Sequence, residues 1–303
     1  MTRAVFFGTP DEAIPTLRAL ADSVEVGLVV TQPDRAKGRS DAPVAPPVKR
    51  WATGAGLPVA QPRTHSDLEI VVGREFDVGV VVAYGRILRP AVLDATRFGM
   101  LNVHFSLLPR WRGAAPVARA LMAGDRMTGV TIIKLDEGLD TGPVLTAQAV
   151  DVGERENAGQ LGLRLAGIGA VLLRHSLTGY LDGALTPVPQ SDDGVTYASK
   201  IESSDRPLDA DDDPLVFIAR VRGLSTSPGA TLNIDGVTHK VLDAVVAEGV
   251  SPDPSTWVAS EGWPVVGVGE SGVRLVSLQS PGRRPQSGDD WLRGVRRRSG
   301  VIG

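Results

Sequence analysis

The 303-residue chain contains no cysteine. That absence removes disulfides, thiolate nucleophiles, iron–sulfur ligation and every cysteine-based zinc site, and it fits a reducing compartment. Histidine is scarce, at four residues, and aromatic residues make up only 5%, so imidazole chemistry has few places to reside. No apolar run approaches the roughly 20 residues of a membrane helix; the run from Val78 to Ala83 has a buried strand's length. The apolar stretch within Met1–Gly8 is too short for a signal peptide. Neither sign of charge dominates, with 32 Lys and Arg against 35 Asp and Glu. This argues against wholesale coating of nucleic acid and leaves room for a local basic face. With 42% apolar residues the chain can bury a proper core, and its length suits about two domains. A cytoplasmic globular protein is expected.

The first half alternates β-branched runs with helical patterns. Ala4–Phe7, Val24–Thr31, Val78–Ala83 and Leu101–His104 are short and nearly continuous in apolar residues, as strands buried on both faces of a parallel sheet must be. Thr9-Pro10-Asp11-Glu12 has capping-box spacing with Pro at the first helical position. A helix is expected from about Gln160 to Leu177, with Leu161, Leu165, Ile168 and Leu172 on one side, although Gly162, Gly167 and Gly169 each cost it about 1 kcal/mol. From Thr186 to Gly194 the texture is that of a linker. One helix follows around Leu215–Val221, then short runs at Ala230–Ile234, Thr238–Leu242, Val265–Val268 and Val273–Leu278, separated by Gly-containing turns. The pattern predicts an α/β protein: an open, mainly parallel Rossmann-like sheet with flanking helices, plus a small C-terminal OB-like β-barrel domain. The expected boundaries are 1–185 for the first domain, 186–208 for a linker and 209–303 for the barrel.

Of the four histidines, His65 reads as a turn cap, and His175 and His239 as surface residues. His104 differs, because it ends the run Met100-Leu-Asn-Val-His104. Ligands of open α/β sheets bind beyond the carboxyl ends of the strands. Asn102 and His104 lie two apart and so share one strand face. His104 also reads as a strand-end histidine satisfied by a backbone carbonyl. Asp140, in Gly138-Leu-Asp-Thr-Gly142 after the run Gly129–Leu135, can be an Asx-turn; as a carboxylate beside His104 it would fix the imidazole tautomer. There is no G-x-S-x-G elbow, and Gly8-Thr-Pro-Asp-Glu12 lacks G-x-G-x-x-G, which counts against a nicotinamide dehydrogenase.

Asn102-Val-His-Phe-Ser-Leu-Leu-Pro109, Trp111-Arg-Gly-Ala-Ala-Pro116 and Leu139-Asp-Thr-Gly142 resemble the 10-formyltetrahydrofolate-dependent formyltransferases. So do Phe7–Asp11, Thr31–Arg35, Val82–Gly85 and Gly124-Asp125. Tyr197–Ile201, Ser227–Ala230 and Leu278–Gly282 resemble the C-terminal barrel of members that act on initiator methionyl-tRNA. The resemblance implies formyl transfer from 10-formyltetrahydrofolate, as a co-substrate and without a metal, to the α-amino group of the methionine carried by that tRNA. Asn102, His104 and Asp140 are then the catalytic residues, with Asn102 and His104 as oxyanion donors. Ser106, Leu107, Leu108, Pro109, Tyr84 and Gly85 are the folate-binding positions, Leu107 and Leu108 packing the ring.

On the tRNA side, the resemblance assigns Arg35, Lys37 and Arg39 to a loop reaching the acceptor stem. Ser40-Asp41-Ala42-Pro43 departs from the basic residues usual there, so a shallower salt dependence is expected. The C-terminal arginines Arg283, Arg284, Arg293, Arg296, Arg297 and Arg298 read either as a solubilising tail or as a backbone-tracking surface. Arg86, Asp209-Ala210 and Arg222–Pro228 also depart from the family pattern. A monomer without membrane association is expected. Two other readings compete: a formyltransferase acting on an amino-sugar nucleotide, and a catalytically silent tRNA-binding protein on the same fold.

Overall fold

The computed structural model describes residues 2–36, 42–73 and 75–303, which form two compact units. The first comprises Met1–Pro116, Met127–Asp151 and Gly162–Ala198. Its sheet contains β1 (Arg3–Gly8), β2 (Glu25–Val30), β3 (Val59–Ala60), β4 (Val78–Val82), β5 (Met100–His104), β6 (Met127–Lys134) and β7 (Val144–Asp151). The spatial order is β7-β6-β5-β4-β1-β2-β3. Strands β5 to β3 along this order run parallel, whereas β6 is antiparallel to both β5 and β7. The helices of the chain are α1 (Ile14–Ala21), α2 (Pro47–Gly54), α3 (His65–Val72), α4 (Pro90–Leu93), α5 (Pro116–Met122), α6 (Ala158–Leu181), α7 (Pro214–Leu224) and α8 (Gly288–Arg293).

Every residue of β4 is buried, and all but the first of β1, as a parallel sheet covered on both faces requires. The expected cap before α1 is absent. Asp11–Ala13 form a single 3₁₀ turn whose cap position, Pro10, offers no side-chain bond, and the Thr9 hydroxyl donates instead to the Tyr84 carbonyl at 3.1 Å. At α3 the cap is Thr64, which exchanges hydrogen bonds with Asp67, so His65 is the first helical residue and not the cap.

Helix α6 is longer than the expected span, and Gly169 explains why glycine is tolerated within it. A Cβ there would lie 2.6 Å from Cγ1 of Val103, so the missing side chain lets the helix settle directly on β5. Val103 therefore faces α6. By strand alternation Asn102 and His104 face the opposite side of the sheet.

The stretch after α6, read above as part of a linker, is bound into this unit. Val188 pairs with Val144, and Tyr197-Ala198 run parallel to Arg112-Gly113.

The second unit comprises Val117–Arg126, Val152–Leu161 and Ser199–Gly303. Its antiparallel strands are β8 (Ala230–Ile234), β9 (Val237–Ala247), β10 (Thr256–Ser260), β11 (Trp263–Val268), β12 (Ser271–Gln279) and β13 (Ser299–Val301), in the order β8-β9-β12-β11-β10-β13. The core gathers Phe217 and Leu224 of α7, Trp257, Leu275 and Trp291. His239 is buried, with its ring edge-on to Trp291 at 5.6 Å; it is no surface residue, and burial holds its pKa below the ordinary histidine value.

The sheet curls until its two edges meet. Ile302 bridges Ile234, the Asp235 amide donates to the Val301 carbonyl at 2.9 Å, and the Gly303 amide donates to the Asn233 carbonyl at 3.2 Å. The arginine-rich end thus runs into the closing strand and is not a free tail. Ile302 is 5% exposed within the core. Ile302→Ala is expected to lower the stability of the barrel by about 2–5 kcal/mol, and deletion of residues 299–303 by more, as read by urea unfolding. Equal midpoints for wild type and Ile302→Ala would refute this role for the C-terminal segment.

Candidate active site

The site is built on the end of β5. Asn102 and His104 project from the face opposite α6, as argued above from the packing of Val103. Asp140 comes from the turn after β6, and its reach is not obvious from the sequence. Because β6 runs antiparallel to β5, its end at Lys134 lies beside Leu101, not beside His104. The chain folds back through residues 135–143 to bring Asp140 over the strand. Gly142 permits this return, since a Cβ there would lie 1.9 Å from the Lys134 carbonyl oxygen.

Asp140 then meets three groups. Its Oδ1 accepts from the Asn102 side-chain amide at 3.2 Å. Its Oδ2 accepts from the Gly113 backbone amide at 2.9 Å and lies 3.6 Å from Nδ1 of His104. The other ring nitrogen, Nε2, is 2.9 Å from the Trp111 carbonyl oxygen. A carbonyl cannot donate, so Nε2 carries a hydrogen. Both expectations for His104 therefore hold at once: it faces the carboxylate, and it is satisfied by a backbone carbonyl.

Asp140 itself sits at φ +53°, a left-handed conformation that few residues other than Gly, Asn and Asp adopt. Among the described residues the Asn102 amide makes no other hydrogen bond. Its second N–H is free to point at a ligand atom.

The Ser106–Pro109 segment is a tightly tied turn. Ser106 is fully buried, and its hydroxyl donates to the Arg110 carbonyl at 2.6 Å. The Leu108 amide donates to the Thr131 hydroxyl at 3.1 Å, and that hydroxyl donates to the Ser106 carbonyl at 2.7 Å. Leu107 packs where a Cβ on Gly129 would otherwise sit. The Ser106 hydroxyl and the Leu108 amide are thus committed to the turn, and Leu107 to the sheet beneath it.

Tyr84 and Gly85 follow β4, the parallel neighbour of β5, so both turns leave the same edge of the sheet. The Tyr84 ring is buried edge-on to Phe7 at 5.5 Å, and burial raises its phenol pKa. Its carbonyl accepts from Thr9 and from Gln32 at 3.2 Å. Gly85 is exposed at φ +82°.

Arg35 is exposed and lies in a two-residue pairing of Arg35-Ala36 with Pro43-Val44. Beside it Asp34 accepts from Lys49 at 2.7 Å and from Gln61 at 2.7 Å, bonds that hold its carboxyl below the usual carboxylate range. Lys37, Arg39, Ser40 and Asp41 lie outside the described residues. Arg86, flagged as a departure, directs its guanidinium at the Pro62 and Arg63 carbonyls at 3.2 and 2.8 Å; it ties two loops together.

Sequence reasoning missed Gly113, the Trp111 carbonyl, Thr196 and Gln190. The Thr196 hydroxyl accepts from the Trp111 amide at 2.9 Å. Gln190 contacts both the Asp140 turn and Arg112. Trp111 and Gly113 lie in the quoted Trp111–Pro116 motif, but its spacing does not announce these backbone contacts, and Thr196 and Gln190 belong to no quoted motif. Among the described residues, no group of three His, Asp or Glu side chains is placed to hold a metal ion, and no helix is long and apolar enough to cross a membrane.

A polar strand end bearing amide, imidazole and carboxylate, on an open sheet joined to a barrel, is the architecture that comparison with known proteins resolves. Residues 2–175 match the family model described as formyl transferase, and residues 200–296 match that described as formyl transferase, C-terminal domain. The chain belongs to the formyl transferase family. Within that family it is 47% identical over 299 residues to the methionyl-tRNA formyltransferase of Halorhodospira halophila, covering 97% of this chain and 96% of that one. It is 43% identical over 304 residues to the methionyl-tRNA formyltransferase of Roseobacter denitrificans, covering 99% and 98%. In fold it is similar to the N-formyltransferase of Helicobacter canadensis solved with folinic acid and dTDP-3-aminofucose, with a TM-score of 0.71 at 14% identity, over 92% of this chain and 100% of that one. It is likewise similar to HypX of Aquifex aeolicus solved with tetrahydrofolic acid, with a TM-score of 0.66 at 16% identity, over 96% of this chain and 47% of that one.

Gly113 carries a second steric demand. At φ +123°, a Cβ would lie 2.7 Å from the Ala198 carbonyl oxygen, whereas Gly85 has the same sign of φ and open space. Gly85→Ala is expected to cost about 1–2 kcal/mol from φ alone. Gly113→Ala is expected to cost about 1–3 kcal/mol more, as measured by urea unfolding. Equal losses would show that the approach of Ala198 imposes nothing.

Proposed function

We propose that this chain transfers the formyl group of 10-formyltetrahydrofolate to the α-amino group of methionyl initiator tRNA, giving the formylated tRNA that begins translation in the cytoplasm. Full-length similarity to methionyl-tRNA formyltransferases supports the reaction. The observation that carries the chemistry is the Asn102 amide, held by Asp140 through one N–H and left with the other.

The donor supplies a formyl carbon bonded to nitrogen. When the amine attacks that carbon, negative charge gathers on the formyl oxygen. The second N–H of Asn102, already oriented by the carboxylate, is the group placed to meet it, and such a donor is worth roughly 3–4 kcal/mol in the transition state. His104 turns both nitrogens toward protein acceptors, so it joins as a donor only by exchanging the Trp111 carbonyl for the formyl oxygen. Until then it braces the Asp140 turn against the Trp111 loop. Once bonded to the carbon, the amine nitrogen is positive, and the Asp140 charge favours loss of its proton. The adduct then collapses: the bond between the formyl carbon and the donor nitrogen breaks, and that nitrogen takes up a proton and leaves as tetrahydrofolate.

The turns after β4 and β5, bearing Tyr84-Gly85 and Ser106–Pro109, flank the donor's position. In the second of these the Ser106 hydroxyl and the Leu108 amide serve the turn, so contact falls to its remaining backbone groups and to the half-buried Leu108 side chain. Arg35, Lys37 and Arg39, and Arg296–Arg298 ahead of the barrel's closing strand, are the cations that would meet the tRNA phosphates. An amino-sugar nucleotide acceptor draws support from fold similarity alone, at 14% and 19% identity.

Asn102→Ala is expected to lower kcat by about 10²- to 10³-fold, with the KM values for folate and tRNA changed less than about threefold, in an assay with charged initiator tRNA and 10-formyltetrahydrofolate. Unchanged kcat would remove Asn102 from the chemistry. Formylation of a nucleotide-linked amino sugar in preference to the charged tRNA would overturn the proposed substrate.

A further inference from the structure

We propose that Gln190 is a positioning residue for this reaction. It holds the backbone of Asp140 in the conformation that aims its carboxylate, and it does so from the segment between α6 and the second unit's sequence. The inference rests on the reading of Asn102, His104 and Asp140 given above.

The side-chain amide of Gln190 uses its full hydrogen-bonding capacity. Nε2 donates one hydrogen to the Asp140 carbonyl and the other to the Gly142 carbonyl, both at 2.8 Å. Oε1 accepts from Nε and Nη2 of Arg112 at 3.1 and 2.7 Å. Only an amide can grip two carbonyls and a guanidinium at once. A carboxylate keeps the guanidinium and repels the carbonyls; an apolar side chain holds neither.

The two carbonyls belong to the turn that most needs holding. Asp140 is left-handed at φ +53°, and such a conformation in a residue other than glycine persists only where its surroundings over-determine it. Asp136 ties the Gly138 amide and the Thr141 hydroxyl of the same turn at 3.0 and 2.7 Å, but the Asp140 and Gly142 carbonyls are held by Gln190. Rotation of the Asp140 peptide would swing Oδ1 and Oδ2 away from Asn102 and Gly113.

Through Oε1, the same amide also fixes Arg112, which lies between Trp111 and Gly113. Those neighbours supply the carbonyl that takes Nε2 of His104 and the amide that donates to Asp140. Gln190 therefore locks together the two loops whose separation sets the Asp140–His104 geometry. Val188–Val144 pairing on one side and Thr196–Trp111 on the other keep its own backbone in place.

The decisive variant is Gln190→Glu, which is isosteric, retains the Arg112 partner and reverses the contact to the two carbonyls. It is expected to lower kcat about 10- to 100-fold, the scale of a misplacement of about 1 Å in an oriented site. The KM values for donor and charged tRNA should move less than about threefold, and the melting temperature should stay near that of the wild type. Coupling between Gln190 and Asp140 is read from a double-mutant cycle with Asp140→Asn. If Gln190 acts through Asp140, the double variant is no slower than Asp140→Asn alone, because the losses are not additive.

A kcat for Gln190→Glu within threefold of wild type, beside a crippled Asp140→Asn, would overturn the inference and leave the site reading intact. So would losses that simply multiply. An Asp140→Asn variant with wild-type kcat would instead bring down the site reading and the inference with it. Should Gln190→Glu prove unstable, Gln190→Met carries the same cycle, keeping the volume and removing all four hydrogen bonds.

Discussion

The Asp140 carboxylate is the constraint on which the site depends. A buried or half-buried charge must be met by donors. Here they come from separate stretches of chain: an amide on β5, a backbone N–H at Gly113 and, facing it, the imidazole of His104. Each partner is oriented by what it gives to the carboxylate. Asn102 cannot turn its free N–H elsewhere without losing its bond to Oδ1. His104 cannot rotate without leaving both Asp140 and the Trp111 carbonyl. Preorganisation of this kind is what makes a fixed dipole more effective than water at stabilising charge that forms during a reaction.

The sheet topology makes that meeting possible, and glycine makes it sterically feasible. Alternation along β5 divides its side chains between Val103, against α6 at Gly169, and Asn102 with His104 on the open side. One residue of register slip would exchange the two faces. The antiparallel entry of β6 means that its following turn starts at the wrong end of β5 and must double back. Gly142 lets the chain pass the Lys134 carbonyl, and Gly113 lets the Trp111 loop lie against Ala198. A side chain at either position would push apart the groups that the carboxylate joins.

Much of this was legible from short-range pattern. The buried strands announced themselves by unbroken apolar runs, and Asn102 and His104 by a spacing of two at a strand end. What escaped was held by long-range contact. Thr9 has the spacing of a cap, yet its hydroxyl goes to Tyr84, 75 positions away. His239 sits between Thr238 and Lys240 in polar company, yet its ring turns inward against Trp291. Ser106 lies in the motif that resembles a folate-binding turn, but its hydroxyl closes its own turn. Gln190 stands in a run of Pro, Ser and Asp that reads as linker, since its partners are 48 to 78 residues away. Local sequence carries no record of such distances. The loop residues Lys37 and Arg39 fall outside the described residues, so their assignment rests on family resemblance.

The barrel shows the same economy of sequence in a different form. An arginine-rich end invites description as a detachable tail, because charge runs are usually solvated. The chain does not stop being structural there. Arg298 accepts the Ala259 amide through its carbonyl at 2.7 Å, and the next three residues pair with β10. Ile302 then enters the core opposite Ile234. Backbone and side chain thus separate their duties within one short segment: the backbone closes the sheet, while guanidinium groups remain outside it. Charge substitution and truncation are therefore different perturbations here. The first alters the field that phosphates encounter, and the second opens the edge that the strand covers and exposes the core beneath it.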